Sequence, residues 1–131
     1  MSASTQASKN KGLKRFYYAT IYSLQGLKKA YGKEPAFRYE VLGGFVVVPL
    51  AAWLADTVLQ FALLVSSWLI LLAVELINSG IEAVVDRIGT EYHELAGMAK
   101  DTASAAVLMI LIMNALVWLG VLYEVTAAAT M

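Results

Sequence analysis

The sequence predicts an all-α membrane protein with three transmembrane helices and an N-terminal amphipathic helix on the membrane surface. Three observations support this fold class. The 131 residues are 60% hydrophobic, which is more apolar than an ordinary soluble domain. Three apolar segments each approach the length that crosses a bilayer. Positive charge is concentrated before the first of these segments, since eight of the ten Lys and Arg residues precede position 39.

The surface helix is expected at about residues 13–32, after a polar segment, 1–12, that we expect to be a mobile tail. Apolar side chains such as Phe16 fall on one face of this helix, and polar ones such as Lys29 fall mostly on the other. The pattern is typical of a helix lying in a membrane interface. A helix packed on a protein core has a similar pattern, but the adjacent spans and the excess of positive charge favour the interface.

The first span is expected at about residues 37–55. Residues 41–55 alone give roughly 22 Å of helix, and extension back to position 37 brings this closer to the bilayer core of about 30 Å. Pro49 is expected to kink this helix, which membrane helices tolerate. A polar turn at Asp56 and Thr57 follows, and either residue can cap the next helix.

The second span is expected within one long helix at about residues 57–88, which is roughly 48 Å long and so projects from the bilayer. Residues 89–101 are polar and predict a loop or a short surface helix. The third span is expected at about residues 103–123, with Trp118 and Tyr123 near its end, where an aromatic belt occurs. Residues 124–131 are expected to form a tail.

Charge predicts the orientation of these spans. No Lys or Arg occurs in residues 41–86 or 102–131. The positive-inside rule therefore places the N-terminus and the 87–100 loop in the cytoplasm, with the Asp56 turn and the C-terminus outside. Nucleic-acid binding is disfavoured because a basic groove is built from several elements. The chain has no cysteine, which excludes disulfides and thiolate metal sites.

Four polar residues follow an almost unbroken apolar run: Glu75, Asn78, Glu82 and Asp86. On a helix they fall within an arc of about 80° and form one stripe. A charge inside a bilayer costs several kcal/mol, so the stripe must face protein or a water-filled cavity. A solvated helix end accounts for Asp86, whereas Glu75 comes directly after the apolar run and indicates a functional site.

Carboxylates at a membrane boundary suggest a hard cation, because Mg²⁺ binds one or two carboxylates together with phosphate oxygens and water. Glu82 and Glu34 are candidate ligands, and Asn78 is a positioning group. Lys100 can hold a phosphate as a point charge. Asp101 either caps the third helix or has a functional role, and both interpretations stay open.

His93 is the only histidine, and "YHELAG" contains half of a zinc-protease motif. The second histidine of that motif is missing, since Gly97 occupies its position, so we reject metalloprotease chemistry. The sequence has neither of the two glycine-rich nucleotide-binding motifs, GxxxxGK[ST] and GxGxxG. Motifs alone therefore do not predict that the chain binds a nucleotide.

The segments "VELINSGIEAVVDRI" and "EYHELAGMAKDTASAAV" resemble the signature region of the prokaryotic diacylglycerol kinase family. The N-terminal "YSLQGLKKA" and "EPAFRYE" also resemble it, so the similarity covers roughly residues 13–123. The resemblance implies a homotrimeric lipid kinase of the bacterial inner membrane, with active sites shared between neighbouring subunits. The implied reaction uses ATP and Mg²⁺ to phosphorylate diacylglycerol to phosphatidic acid at the cytoplasmic face.

The same resemblance implies roles for individual residues. Glu75 matches the proton acceptor for the lipid hydroxyl, and Glu34 and Glu82 match the magnesium pair. Positions that match nucleotide contacts are Arg15, Tyr22, Glu34, Glu82, Glu91, Tyr92, His93, Lys100 and Asp101. Positions that match lipid binding or positioning are Arg15, Trp53, Glu75, Asn78 and Ser104.

Two alternatives stay open at this point. Undecaprenol kinase has the same fold and chemistry and differs in its lipid acceptor, which no residue here decides. A small non-enzymatic membrane subunit that binds cations would use the same row of carboxylates, but it would need neither Lys100 nor a nucleotide.

Overall fold

The computed structural model describes residues 12–89, 91 and 93–130. Four helices make up this part of the chain: α1 (Leu13–Lys33), α2 (Pro35–Leu54), α3 (Val58–Ile88) and α4 (Glu94–Ala129). The described residues contain no strand. The last three helices are each long and apolar enough to cross a membrane. The predicted all-α membrane fold is therefore confirmed, while the predicted tail lies outside the described residues except for Gly12.

The corner between α1 and α2 is fixed by one side chain. Glu34 separates the two helices in an extended conformation, and Pro35 occupies the first position of α2. The guanidinium of Arg38 donates from Nε to the carbonyl of Tyr31 (3.0 Å) and from Nη2 to the carbonyl of Gly32 (3.1 Å). These carbonyls belong to the last turn of α1, where no helical N–H reaches them. The corner therefore holds Glu34 between two anchored helices.

The turn between α2 and α3 confirms the predicted cap at Thr57. Its hydroxyl accepts from the N–H of Gln60, and the Gln60 side chain accepts from the N–H of Thr57, which completes a capping box. The Gln60 Nε2 also donates to Glu124 Oε2 at 3.2 Å. One side chain thus joins this turn to the far end of α4.

The most extensive helix pairing is between α3 and α4. A small apolar core near the α2–α3 turn contains Ala51, Leu64 and Val121. Further along the pair, Asn114 Nδ2 donates to the Ser67 carbonyl at 2.7 Å, and Ser67 Oγ donates to Asn114 Oδ1 at 3.1 Å. These contacts fix the register of α3 against α4.

The fourth helix is longer than the predicted span. It begins at Glu94 rather than at position 103, so the predicted loop or surface helix over 89–101 is wrong for residues 94–101. His93 caps it, with Nδ1 accepting from the Leu95 N–H at 3.2 Å. Gly97 does not end the helix, because an interior glycine costs only about 1 kcal/mol.

Two further expectations about this helix need correction. Asp101 lies inside α4 and is exposed, so it is not the cap of the helix. The predicted tail begins at Glu124, yet α4 continues to Ala129. The segment after Glu124 contains Ala127, Ala128 and Ala129, and alanine has the highest helix propensity of all residues.

Candidate active site

The polar stripe on α3 runs from the protein interior to its surface. Glu75 is 9% exposed and is the one buried charged side chain among the described residues. Asn78 and Glu82 are half-buried, and the Asp86 side chain is 67% exposed. The structure therefore agrees with the sequence argument that Asp86 reaches solvent while Glu75 lies within the fold.

Asn78 links the members of the stripe. Its Nδ2 donates to Glu82 Oε1 at 3.2 Å. Its Oδ1 is buried and has no hydrogen-bond partner within the described part of the chain. A buried amide oxygen without a partner is unfavourable, so this atom is an acceptor available to a bound molecule.

Glu34 and Glu82 both lie within electrostatic range of Glu75. Glu34 reaches this region from the α1–α2 corner, and Glu82 lies two helical turns beyond Glu75 on α3. Like charges at this range repel one another in a site of low polarity. A cation that bound Glu34 and Glu82 would relieve the repulsion.

Sequence analysis missed Glu40, which α2 places within electrostatic range of Glu75. Its Oε2 is buried and has no hydrogen-bond partner among the residues that the structure describes. The sequence did contain a signal for Glu40. It is a carboxylate at the start of the first span, and no Lys or Arg that could neutralise it follows Arg38 within that span. Its proximity to Glu75 depends on how α2 packs against α3.

Lys100 forms an ion pair with Asp86, with 2.9 Å between Nζ and Oδ1. The Lys100 side chain is 40% exposed and that of Asp86 is 67% exposed. Exposed ion pairs contribute little stability, at about 0–1 kcal/mol. Lys100 can therefore exchange Asp86 for a phosphate at low cost.

Several predicted nucleotide contacts meet where α3 ends and α4 begins. A pocket of about 520 Å³ is lined there by residues that include Asp86, Glu91, His93 and Lys100. Tyr92, which was predicted with them, lies outside the described residues. Asp101 and Ser104 are exposed on the first turns of α4.

Other predicted contacts lie far from the stripe within one chain. Arg15 lies nineteen residues before Glu34, or about 28 Å along α1 and its end. Trp53 is 80% exposed and lies at the opposite end of α2 from Glu40, about 20 Å away. Tyr22 is half-buried on α1, with its ring stacked on that of Tyr18 at 6.3 Å between centroids.

Among the described residues, no group of three or more His, Asp or Glu side chains has the geometry of a metal site. The donor set nevertheless fits Mg²⁺, which needs only one or two carboxylates when phosphate oxygens and water complete its shell. Glu34 and Glu82 can provide those two, and the Asn78 hydrogen bond orients Glu82.

Comparison with known proteins identifies the family. The sequence profile described as prokaryotic diacylglycerol kinase matches residues 21–122. A diacylglycerol kinase of Haemophilus influenzae is 47% identical over 115 residues, covering 88% of this chain and 98% of that protein. This chain belongs to the prokaryotic diacylglycerol kinase family.

Further relatives of the family have similar coverage. A diacylglycerol kinase of Escherichia coli K12 is 44% identical over 118 residues, covering 90% of this chain and 97% of that protein. A diacylglycerol kinase of Helicobacter pylori 26695 is 47% identical over 110 residues, covering 84% of this chain and 86% of that protein. The chain is therefore a membrane-embedded lipid kinase of a family whose phosphoryl transfer depends on a metal ion.

Proposed function

We propose that this chain transfers the γ-phosphoryl group of ATP to the free hydroxyl of diacylglycerol, which produces phosphatidic acid. The observation that carries the proposal is Glu75, a buried carboxylate on a membrane helix with a stripe of polar side chains leading from it to solvent. The reported relatives are all named diacylglycerol kinase, which supports diacylglycerol over undecaprenol as the acceptor.

Glu75 is proposed to accept the proton of the lipid hydroxyl as that oxygen attacks the γ-phosphorus. The acceptor lies in the membrane and ATP lies in water, so the reaction must occur where the two phases meet. The stripe from the buried Glu75 to the exposed Asp86 is proposed to cross this boundary. A positioned base of this kind contributes about 10²–10⁴-fold to the rate.

Glu34 and Glu82 are proposed to hold Mg²⁺, which when bound neutralises charge on the phosphates. Asn78 keeps the Glu82 carboxylate in place through its 3.2 Å hydrogen bond. Lys100 leaves Asp86 and binds a phosphate as ATP arrives, while Glu91 and His93 line the pocket beside it. Arg15, Tyr22, Tyr92 and Asp101 complete the proposed nucleotide contacts.

The protein is proposed to act as a homotrimer with sites shared between neighbouring subunits. Within one chain Asp86 lies eleven residues beyond Glu75 on α3, or about 16 Å along the helix. Lys100 pairs with Asp86 and is therefore also distant from Glu75 in the same chain. A neighbouring subunit that presents its Lys100 to this Glu75 would bring the proposed phosphate-binding lysine closer to the proposed base. The same assembly would bring Arg15, Trp53 and Ser104 to the lipid, which a single chain leaves far away or exposed.

The proposed location is the bacterial inner membrane, with the N-terminus and the α3–α4 connection in the cytoplasm and the C-terminus outside. This orientation follows from the distribution of Lys and Arg. It gives the Lys100 end of the site access to cytoplasmic ATP.

Purified protein in phosphatidylcholine vesicles with radiolabelled ATP and Mg²⁺ tests the function directly. We expect label in phosphatidic acid when diacylglycerol is the acceptor, and little transfer when undecaprenol replaces it. Preferential labelling of undecaprenol would identify the alternative kinase. Binding of cations without transfer to either lipid would favour the non-enzymatic subunit.

A further inference from the structure

A cavity of about 610 Å³ lies between α1 and α3. Small residues make up much of its wall and leave space between the two helices: Gly26, Ala30, Ser79, Gly80 and Ala83. A Cβ added at either glycine would meet no atom within 4 Å, so the space is open. No described residue lines both this cavity and the pocket at Lys100, so the two spaces are distinct.

Two lysines give the cavity a positive charge. Lys29 and Lys33 are four residues apart on α1, which places them on one face of the helix, and both line the cavity. Neither forms an ion pair within the described part of the chain. Glu34 is the one acidic residue among the described lining, so a net positive charge remains. A bound anion would relieve the repulsion between the two amines.

The helix dipole accounts for only one of these lysines. Lys33 is in the last turn of α1, where a cation is favourable beside the free carbonyls. Lys29 lies a full turn earlier, where that effect has faded. A second unpaired amine on the same cavity is explained by an anionic ligand.

The position of the cavity indicates where its anion comes from. Glu34, a proposed magnesium ligand, is part of the lining. Ser79 directly follows Asn78 of the polar stripe and lines the cavity as well. The two lysines therefore lie next to the place where the proposed reaction leaves a phosphate on the lipid.

The apolar part of the lining indicates what the anion is attached to. Leu27 and Leu76 line the cavity from α1 and α3, and α1 is the helix expected at the membrane interface. A ligand that suits both parts has a phosphate and a hydrophobic body. A phosphate monoester carries about 1.5–2 negative charges near neutral pH, which two lysines can match.

We propose that Lys29 and Lys33 form a phosphate site that receives the phosphomonoester of the lipid product after transfer. The inference rests on the proposed kinase function and adds a site that the acceptor does not use, because diacylglycerol has no anionic group. Attraction to the two amines favours the phosphorylated lipid, so it draws product away from the metal pair and leaves the affinity for the acceptor unchanged.

Binding without turnover tests the site. Protein in phosphatidylcholine nanodiscs is titrated calorimetrically with dihexanoyl phosphatidic acid in the absence of ATP, and empty nanodiscs give the blank. We expect Lys29→Gln with Lys33→Gln to weaken binding at least about fivefold, because charge-assisted contacts to phosphate are lost. Lys28→Gln is the matched control, since Lys28 is exposed on the same helix outside the lining. Equal affinities for these two proteins would overturn the proposal.

A charge-preserving variant and three other ligands sharpen this test. Lys29→Arg with Lys33→Arg should bind phosphatidic acid as the unmodified protein does, and a loss as large as that of the Gln pair would overturn a role for charge. Dihexanoyl phosphatidylglycerol, glycerol 3-phosphate and inorganic phosphate should each bind more weakly than phosphatidic acid. Equal binding of phosphatidylglycerol would indicate a general site for anionic lipids, and equal binding of either soluble phosphate a site for free phosphate. Each of these results would overturn the assignment to the product.

The outcomes separate this inference from the kinase proposal. In an active enzyme, we expect the Gln pair to raise the inhibition constant of phosphatidic acid at least about fivefold, with the KM values for diacylglycerol and ATP unchanged. An unchanged inhibition constant in that enzyme would overturn this inference alone. Lysine-dependent binding of phosphatidic acid to a protein that transfers no phosphate would support the site and overturn the kinase function alone.

Discussion

Ser67 and Asn114 join α3 to α4 by a pair of hydrogen bonds between two otherwise apolar helix faces. The Asn114 amide donates to the Ser67 carbonyl at 2.7 Å. The single proton of the Ser67 hydroxyl is shared between Asn114 Oδ1 at 3.1 Å and the Leu64 carbonyl of its own helix at 2.8 Å. Apolar side chains gain little from packing against one another instead of against lipid, so polar contacts of this kind contribute to helix association in membranes.

Replacing Ser67 by Ala should therefore lower the free energy of unfolding in detergent micelles by about 0.5–2 kcal/mol. Ser66→Ala is the matched control, because the Ser66 hydroxyl is exposed and donates only to carbonyls of its own helix. Denaturation titrations of both variants measure the difference. Equal stabilities would contradict an interhelical role for Ser67.

Gly44→Ala should destabilise the protein because the new methyl group collides with the Trp68 ring. Overpacking of this kind typically costs about 1–3 kcal/mol. Gly43→Ala is the control, since no atom lies within 4 Å of a Cβ at that position. The same titrations should show unchanged or raised stability for Gly43→Ala, and a loss of equal size in both variants would count against the Gly44–Trp68 fit.

Glu75→Gln should reduce turnover of diacylglycerol by at least about 10²-fold, the low end for loss of a positioned base. The amide keeps the shape of the side chain, so ATP binding should persist in equilibrium measurements. Glu94→Gln, an exposed change in the first turn of α4, should leave turnover nearly unchanged. A Glu75→Gln enzyme with near-normal turnover would remove Glu75 as the base.

Glu34→Gln and Glu82→Gln should each raise the magnesium concentration needed for half-maximal activity, because a neutral amide is a weaker ligand for a hard cation. Activity titrations with MgCl₂ measure the shift. Glu94→Gln serves as the control, since Glu94 is exposed on the first turn of α4 and is assigned to no part of the site. Magnesium curves that coincide for all three variants would exclude Glu34 and Glu82 as the metal pair.

The chain has no cysteine, so single cysteines report orientation without background. Asp56→Cys and Ala128→Cys are exposed positions that should react with an impermeant thiol reagent in intact cells. Gly89→Cys, beside the proposed ATP site, should react only after the cells are opened. Labelling of position 89 alone in intact cells would invert the proposed orientation and place the site away from cytoplasmic ATP.

Hydrophobic patterning and local capping could be predicted from the sequence because they depend on neighbouring residues. The spans and the Thr57 cap are of this kind. The start of α4 could not be predicted in this way. Gly97 suggested a break in the helix, whereas the structure has a helix that His93 caps and that continues through Gly97. Glu40 was missed for a different reason, since it lies 35 positions before Glu75 and comes close to it only because α2 packs against α3.

The ion pair between Lys100 and Asp86 has a consequence for the behaviour of the protein in salt. Both side chains are substantially exposed, so dissolved ions screen their attraction, whereas the neutral amide of Gln60 that binds Glu124 at the other end of α4 is screened less. Raising ionic strength should therefore free the amino group of Lys100 before it loosens the opposite end. The two ends of one helix differ in their sensitivity to ionic strength, and the sensitive end is the one that we propose to bind the nucleotide.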